Sequence, residues 1–387
     1  MKYNFDEIIN RKNTDCVKVD AMEMFLNVKD AIPMWVADMD FKTPPFIIAA
    51  LKKRLEHEVL GYSIKPDAYF SSIINWMQKM HNWKINKEWI TFSPGVVAGF
   101  TIAIEQFTKP GDKIIVQPPV YFPFFHSITD TGRELVNNPL KLENGRLNFD
   151  FEDLKNKITP DVKMLLLCNP HNPGGSVWTK EELIKINTLC LENNILVVSD
   201  EIHADIVYKP NSFVPFASIS DDAANNSITI RSHSKTFNVA GLTTSYLIIP
   251  NKTLLNAYNK KLNTPHLYMG NIFGTEALTA AYENGSEWLI ELLSYLHENI
   301  KLVTDFFDLN YPKIKVINPE STFLIWIDCR ELGLSGKELN NLFLHKIKVA
   351  INEGSMFGLG GEGFIRMNIG CPKSIVQQAL NRINEIL

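Results

Sequence analysis

The chain has 387 residues, 45% of them hydrophobic and 21% charged, the balance of a folded protein and more chain than one ordinary core needs. Its formal net charge is −4 with both signs interspersed, so no basic stripe points to nucleic acid. No apolar run approaches the roughly 20 residues that cross a bilayer, which argues against a membrane partner.

The opening residues Met1-Lys-Tyr-Asn-Phe-Asp-Glu-Ile-Ile-Asn10 carry no apolar core and no small-residue cleavage site, so no secretory leader is expected. Cys16, Cys168, Cys190, Cys329 and Cys371 form no C-x-x-C pair, which disfavours a zinc site or a disulfide framework and favours a reducing, cytoplasmic location. There is no internal repeat and no low-complexity linker.

In chain order, Ser93-Pro-Gly95 leads into an apolar helical run from Val96 to Ile104. Continuous apolar segments at 113–117, 163–168, 195–199, 227–231 and 244–249 read as strands buried on both faces. Between the second and third, Thr179-Lys-Glu-Glu-Leu183 carries a capping-box pattern in which Thr179 caps and Glu182 bonds back. Strands alternating with helices predict an α/β fold with a mostly parallel sheet flanked by helices. After about Glu287 a long helix, strands at 315–317, 323–327 and 364–369, and a final helix predict a smaller α/β domain. The expected organisation is an N-terminal segment 1–45 joining the small domain, a large domain 46–286 and a small C-terminal domain 287–387.

Three strand ends are loaded with polar residues: Asn169-Pro-His-Asn-Pro-Gly-Gly175, Asp200-Glu-Ile-His203 and Ser232-His-Ser-Lys235. Ligands of open α/β sheets collect outside such carboxyl ends. Lys235, just past a buried strand, is placed where desolvation favours the neutral amine that attacks an aldehyde carbon; a surface lysine is the plain alternative. Asp200 ends an apolar strand, where an unpaired charge is costly. A carboxylate there suits the protonated nitrogen of a pyridine ring, as in pyridoxal 5'-phosphate (PLP), whose electron-sink action depends on that proton; a helix cap or an ion pair explains it equally simply. Asn172 sits in a rigid Pro/Gly turn and offers an amide donor for the cofactor's phenolic oxygen. Val96 and Val97 open a helix behind a glycine and offer backbone amides to a phosphate, with the Ser232 and Ser234 hydroxyls on the other side. Tyr121, among prolines, suits stacking on a ring. Arg366 suits a bidentate clamp on a substrate carboxylate, or a strand-face ion pair.

Two further patterns are set aside. Gly358-x-Gly360-x-x-Gly363 satisfies the dinucleotide expression but precedes a strand, with too little chain after it for a βαβ unit. Asp200-Glu-x-His203-x-Asp205 has metal-ligand residue types without a recognised spacing, so no metal is expected.

From about Trp35 to the C-terminus, the order of these motifs resembles the fold-type I PLP enzymes of the class I/II aminotransferase superfamily. The resemblance implies a mostly parallel, seven-stranded-type sheet, Lys235 as the Schiff-base lysine, Asp200 as the pyridinium partner and Asn172 as the phenolate donor. Arg366 is similar to the α-carboxylate clamp, with Ala37 and Asn172 also on the substrate side, and Tyr121 to the stacking residue. Tyr62, in Leu60-Gly-Tyr62, is similar to the tyrosine that reaches the neighbouring subunit's phosphate, which implies a homodimer with shared active sites. Aminotransferases of this class usually carry tyrosine three residues after the aspartate and arginine eight after the lysine; here these are His203, expected to contact the cofactor, and Thr243. Both departures resemble the carbon–sulfur lyase branch typified by bacterial cystathionine β-lyases. So do Trp35-Val-Ala-Asp-Met-Asp-Phe41, Asp200-Glu-Ile-His-Ala-Asp205 and Ser234-Lys-Thr-Phe-Asn-Val-Ala-Gly-Leu242. His233 stands where the family leads one to expect alanine.

The resemblance therefore implies β-elimination from an S-substituted cysteine such as L-cystathionine, with Lys235 as general base and pyruvate and ammonia as products. Lys235, or a tyrosine such as Tyr121 or Tyr62, is available to protonate the leaving sulfur. The first rival is an aminotransferase using the same attachment. The second is a PLP-binding regulator, for which the segment before Trp35 leaves no room for a helix-turn-helix.

Overall fold

The computed structural model describes residues 2–387; Met1 lies outside the described residues. A seven-stranded sheet is built from β1 (Ile90–Ser93), β2 (Lys113–Val116), β3 (Glu134–Asn137), β4 (Val162–Cys168), β5 (Leu196–Asp200), β6 (Ser227–Arg231) and β7 (Ser245–Ile248), in the order β1-β7-β6-β5-β4-β2-β3. The pairings among β2 to β6 are parallel, whereas β7 runs antiparallel to both β1 and β6.

The apolar runs divide between two cores because successive side chains point to opposite faces. Leu165, Leu167 and Val197 face one side and pack with Trp178, Leu183 and Ile186. Met164, Leu166, Cys168 and Val198 face the other and pack with Phe100 and Ile104. Helix α1 (Val96–Phe107) thus covers one face and α2 (Lys180–Glu192) the other.

The capping box of α2 is present: Thr179 Oγ1 accepts from the Glu182 amide at 3.1 Å and Glu182 Oε2 accepts from the Thr179 amide at 2.8 Å. Thr179→Ala is expected to lower the unfolding free energy by about 1 kcal/mol. A urea melt of the variant measures this; an unchanged midpoint counts against it.

Helix α3 (Ile272–Asn284) ends one residue before Gly285, and the 25-residue α4 (Ser286–Asn310) begins directly after it. A second, fully antiparallel sheet follows, formed by β8 (Lys315–Val316), β9 (Leu324–Asp328), β10 (Asn352–Glu353) and β11 (Phe364–Asn368) in the order β8-β9-β11-β10. Leu292, Leu296 and Val303 of α4 pack with Val376, Leu380 and Ile383 of the last helix, α5 (Lys373–Ile386), in one core. Near the N-terminus, Ile32–Pro33 pairs in parallel with Val349–Ala350, tying the first segment to the C-terminal part.

Strands β1 and β3 of the large sheet, and the two-residue β10, lie outside the segments expected from apolar runs. Ile90-Thr-Phe-Ser93 and Glu134-Leu-Val-Asn137 mix polar with apolar residues, and β3 is a partly exposed edge, so neither carries a continuous apolar signal. Among the described residues no helix is long and apolar enough to cross a membrane. All five cysteines are free.

Candidate active site

The neighbouring parallel strands β4, β5 and β6 end at Cys168, Asp200 and Arg231. The residues that follow them enclose a cavity of about 260 Å³, lined by Asn172, Asp200, His203, Ser232, Ser234 and Lys235. Ala37, Tyr121 and the start of α1, Gly95 to Val97, complete its wall.

The Lys235 amine donates to the Ala37 carbonyl at 2.5 Å. Asn368 Nδ2 holds that stretch of chain by donating to the carbonyls of Val36 at 2.5 Å and Asp38 at 2.6 Å. Burial lowers the Lys235 amine from its ordinary 10.5 to about 8; the Arg366 charge adds to this, while Asp38 and Asp200 oppose it. A substantial neutral, nucleophilic fraction therefore exists in mildly alkaline solution.

Asp200 is buried, and its Oδ1 accepts only the Ile202 amide, at 3.1 Å. Among the described residues it forms no ion pair. Burial accordingly pushes its carboxyl up to about 7, with the Ile202 hydrogen bond and the Lys235 charge pulling the other way. A buried carboxylate without a cation is a vacancy for a protonated ring nitrogen.

Arg366, on β11, shows the opposite deficit. Its guanidinium donates to Asn172 Oδ1 at 3.0 Å, the Trp35 carbonyl at 3.1 Å and Asn352 Oδ1 at 2.7 Å, while its Nε is buried without a partner. Among the described residues no carboxylate pairs with it, so the strand-face ion pair is not what is found, and burial lowers it to about 10. A buried, unpaired guanidinium suits an incoming carboxylate. The bond from Arg366 also orients Asn172: Oδ1 is occupied, which leaves the Nδ2 donors free beside the cavity.

At the other end, α1 begins without a side-chain cap, and Gly95 takes φ +147°, a conformation that glycine alone adopts readily. Its first amides therefore lack internal partners and suit an anion. Ser234 and Thr243 line the same cavity. The Ser232 hydroxyl donates to the Thr244 carbonyl at 2.8 Å and accepts from the Ser234 amide at 3.1 Å, so its proton is committed within the chain. Its expected hydrogen bond to a phosphate would require that bond to break. Tyr121 is kept neutral by burial, its phenol pushed up to about 12. His203 is likewise held neutral, at about 3, chiefly by burial, and its Nδ1 has no partner.

The profile of the class I and II aminotransferases matches residues 29–383. The chain belongs to this family. Within the class I and II aminotransferases it falls in the cystathionine β-lyase branch. It is 44% identical over 385 residues to cystathionine β-lyase PatB of Bacillus subtilis, covering 99% of this chain and 100% of that one. It is 32% identical to the protein MalY of Escherichia coli, over 98% and 97% of the two chains. Its fold superposes on PLP-containing cystalysin of Treponema denticola with a TM-score of 0.97, 36% identity and coverage of 100% and 99%.

Of the residues singled out from sequence, this family member brings Ala37, Val96, Val97, Tyr121, Asn172, Asp200, His203, Ser232, Ser234 and Lys235 around one cavity, with Arg366 bonded to Asn172. Tyr62 is not among them; it is 96% exposed and away from the cavity of its own chain. The wall also includes Cys168, Ile202, Ala240 and Thr244, small or apolar residues with no chemical signature to mark them. Thr243 has φ +47°, an unusual conformation for a β-branched residue. Gly358, Gly360 and Gly363, all at positive φ, form turns ahead of β11 and not the start of a helix. Among the described residues no group of three or more His, Cys, Asp or Glu is arranged to hold a metal.

Proposed function

We propose that this chain is a PLP-dependent carbon–sulfur β-lyase that eliminates a thiol from an S-substituted cysteine, such as L-cystathionine, to give pyruvate and ammonia. The observation that carries the cofactor reading is the meeting, in one cavity, of the buried Lys235 amine and the unpaired Asp200 carboxyl; the 44% identity to cystathionine β-lyase PatB favours the lyase over the aminotransferase. The residues present fit the cofactor: the buried Asp200 carboxyl suits its ring-nitrogen cation, the uncapped start of α1 its phosphate, and the Asn172 amide its phenolic oxygen.

PLP supplies the electron sink that makes the substrate's Cα–H bond acidic. Lys235 would hold it covalently through its amine, and that same amine is placed to take the Cα proton. Asp200 keeps the proton on the ring nitrogen. Asn172 donates to the phenolic oxygen, and Tyr121 covers the ring. Val96 and Val97 present amides to the phosphate, with Ser232 and Ser234 beside them, while His203, close to the Lys235 and Arg366 charges, contacts the cofactor from the other end. Arg366 grips the α-carboxylate, with Ala37 and Asn172 beside it. The electron pair left at Cα forms the Cα–Cβ double bond as the Cβ–S bond breaks with its own pair on sulfur, which takes up a proton as the thiol leaves; the released aminoacrylate is then hydrolysed by water to pyruvate and ammonia.

Lys235, Tyr121 and a second copy's Tyr62 are the candidate donors of that proton. Tyr62 sits on an exposed stretch with Val59, Leu60 and Ile64, all more than half exposed, and an apolar arm of this kind calls for a partner surface. A homodimer with shared active sites provides one. The same reading divides the chain into 1–45, 46–286 and 287–387 and places it in the cytoplasm.

Purified protein incubated with L-cystathionine and no keto acid is expected to release pyruvate over many turnovers, read by coupled NADH oxidation. Conversion of the cofactor to its amine form without pyruvate would instead identify an aminotransferase. Arg366→Lys is expected to raise KM by at least about tenfold while kcat changes less, because a point charge cannot replace the planar fork. Steady-state kinetics over a range of cystathionine concentrations tests this; an unchanged KM would remove Arg366 from the substrate side.

A further inference from the structure

The loops that carry Asp200 and Lys235 have a second set of side chains that do not line the cavity. Asp200, Ile202 and His203 line it, whereas Glu201 and Asp205 do not; Ser232, Ser234 and Lys235 line it, whereas Arg231 and Thr236 do not. This second set is buried, and Arg231 and Thr236 are bonded to Asp205. Asp205 Oδ1 accepts from Trp76 Nε1 at 3.1 Å and Arg231 Nη2 at 2.8 Å and lies 2.7 Å from His81 Nε2, itself 2.9 Å from Arg231 Nη2, and its Oδ2 accepts from Thr236 Oγ1 at 2.8 Å. Arg231 Nη1 lies 3.7 Å from Glu201 Oε2. The acidic motif considered for metal binding is therefore split: its Asp200 and His203 face the cavity, and its Asp205 is the anion of a buried ion cluster.

We propose that Asp205 and Thr236 are positioning residues for Lys235. The lysine is bracketed in sequence by two side-chain anchors. On one side the Ser234 amide donates to Ser232 Oγ at 3.1 Å, and on the other the Thr236 hydroxyl donates to Asp205. Arg231, at the end of β6, and Thr236 bond the same carboxylate, so the segment Arg231–Thr236 that carries the lysine is closed on itself by one anion. A rotation of the chain at 235 that moved the amine off its line would have to break a charge-assisted hydrogen bond in a buried setting, where the freed groups find no water. Glu201, beside Asp200, approaches Arg231 without a hydrogen bond, so the cluster borders the strand end that carries Asp200 while its bonds anchor the lysine turn.

The inference rests on Lys235 as the amine that captures the cofactor. Thr236→Val carries the test, since it removes only the hydroxyl, whereas removing the Asp205 charge would leave Arg231 buried without its main anion. Cofactor-free Thr236→Val is expected to capture added PLP about tenfold more slowly than the parent, read at the visible absorbance band. The loaded variant is expected to lose about tenfold in kcat with KM within about twofold. Thr236→Ser, which restores the hydroxyl, is expected to recover both to within about twofold. A purely structural threonine would lower the melting temperature of the cofactor-free chain and leave the capture rate of the folded protein at the parent value; that result overturns the proposal. If the parent itself captured no PLP, the Lys235 reading would fail first; a parent that captures it and a Thr236→Val variant that keeps pace would sink this inference alone.

Discussion

Lys235→Ala is expected to abolish the visible absorbance of the bound cofactor and to cut pyruvate release by about 10³-fold or more, while the chain stays folded. The size follows from two losses in one side chain, the covalent attachment and the group that moves the Cα proton. Folding should survive because the amine destabilises the cofactor-free chain. Its folded pKa of about 8 lies below the ordinary 10.5, so below about pH 8 the fold must hold a charge that it disfavours. That penalty fades as pH rises towards 10.5. Alanine removes the penalty and loses the hydrogen bond to the Ala37 carbonyl, two changes of opposite sign. The melting temperature of the cofactor-free variant should therefore stay level or rise, with any gain largest below pH 8. Spectra, pyruvate assays and thermal melts across pH check the three parts separately. Turnover at the parent rate would end the assignment of Lys235.

Which parts of this site could be read without coordinates follows from sequence distance and strand geometry. Lys235 and Asp200 were legible because each sits within a few residues of the end of a continuous apolar strand, and the ends of neighbouring parallel strands converge. What the polar atoms do there was not. Whether Arg366 was a clamp or half of an ion pair depended on Asn172, 194 positions away. Asp205 was set aside as a metal ligand, but what it does instead could not be read, because its neighbours His81 and Trp76 come from a helix more than a hundred residues earlier. The Ser232 hydroxyl read as a phosphate donor until the Thr244 carbonyl was found to hold its proton. Strands β1 and β3 escaped notice for a different reason: Ile90-Thr-Phe-Ser93 and Glu134-Leu-Val-Asn137 are interrupted by polar residues, whereas the equally short Lys113-Ile-Ile-Val116 keeps a continuous apolar run. Periodicity locates the long elements, whereas hydrogen-bond partners drawn from distant segments decide what a polar residue is for.

Asp200→Asn should separate stability from catalysis most sharply, because the two are expected to move in opposite directions. In the cofactor-free chain the Asp200 carboxyl is pushed from an ordinary 3.8 up to about 7 by burial. Between those values the folded chain holds a proton that the unfolded chain has released, so stability falls as pH rises through the window, and the penalty is complete above about pH 7. A difference of that size corresponds to an upper limit on the order of 4 kcal/mol. Asparagine carries no charge to bury, so the cofactor-free variant should melt higher than the parent at pH 8 and about level with it at pH 4. Glu201, likewise pushed up to about 7 by burial with Arg231 opposing, remains in the variant, so the pH slope should shrink without vanishing. Once PLP is bound, the ring-nitrogen cation supplies the missing partner, and the advantage of asparagine should disappear. Catalysis should go the other way. An amide cannot hold the ring proton as a carboxylate does, and the loss expected is about 10²-fold or more in kcat, with some cofactor still bound. Melts of both chains at pH 4 and pH 8, with and without PLP, together with kcat, test the whole chain of argument. An undiminished kcat would mean that the ring nitrogen has another partner, and equal melting temperatures at pH 8 without cofactor would mean that Asp200 is not the unpaired charge described here.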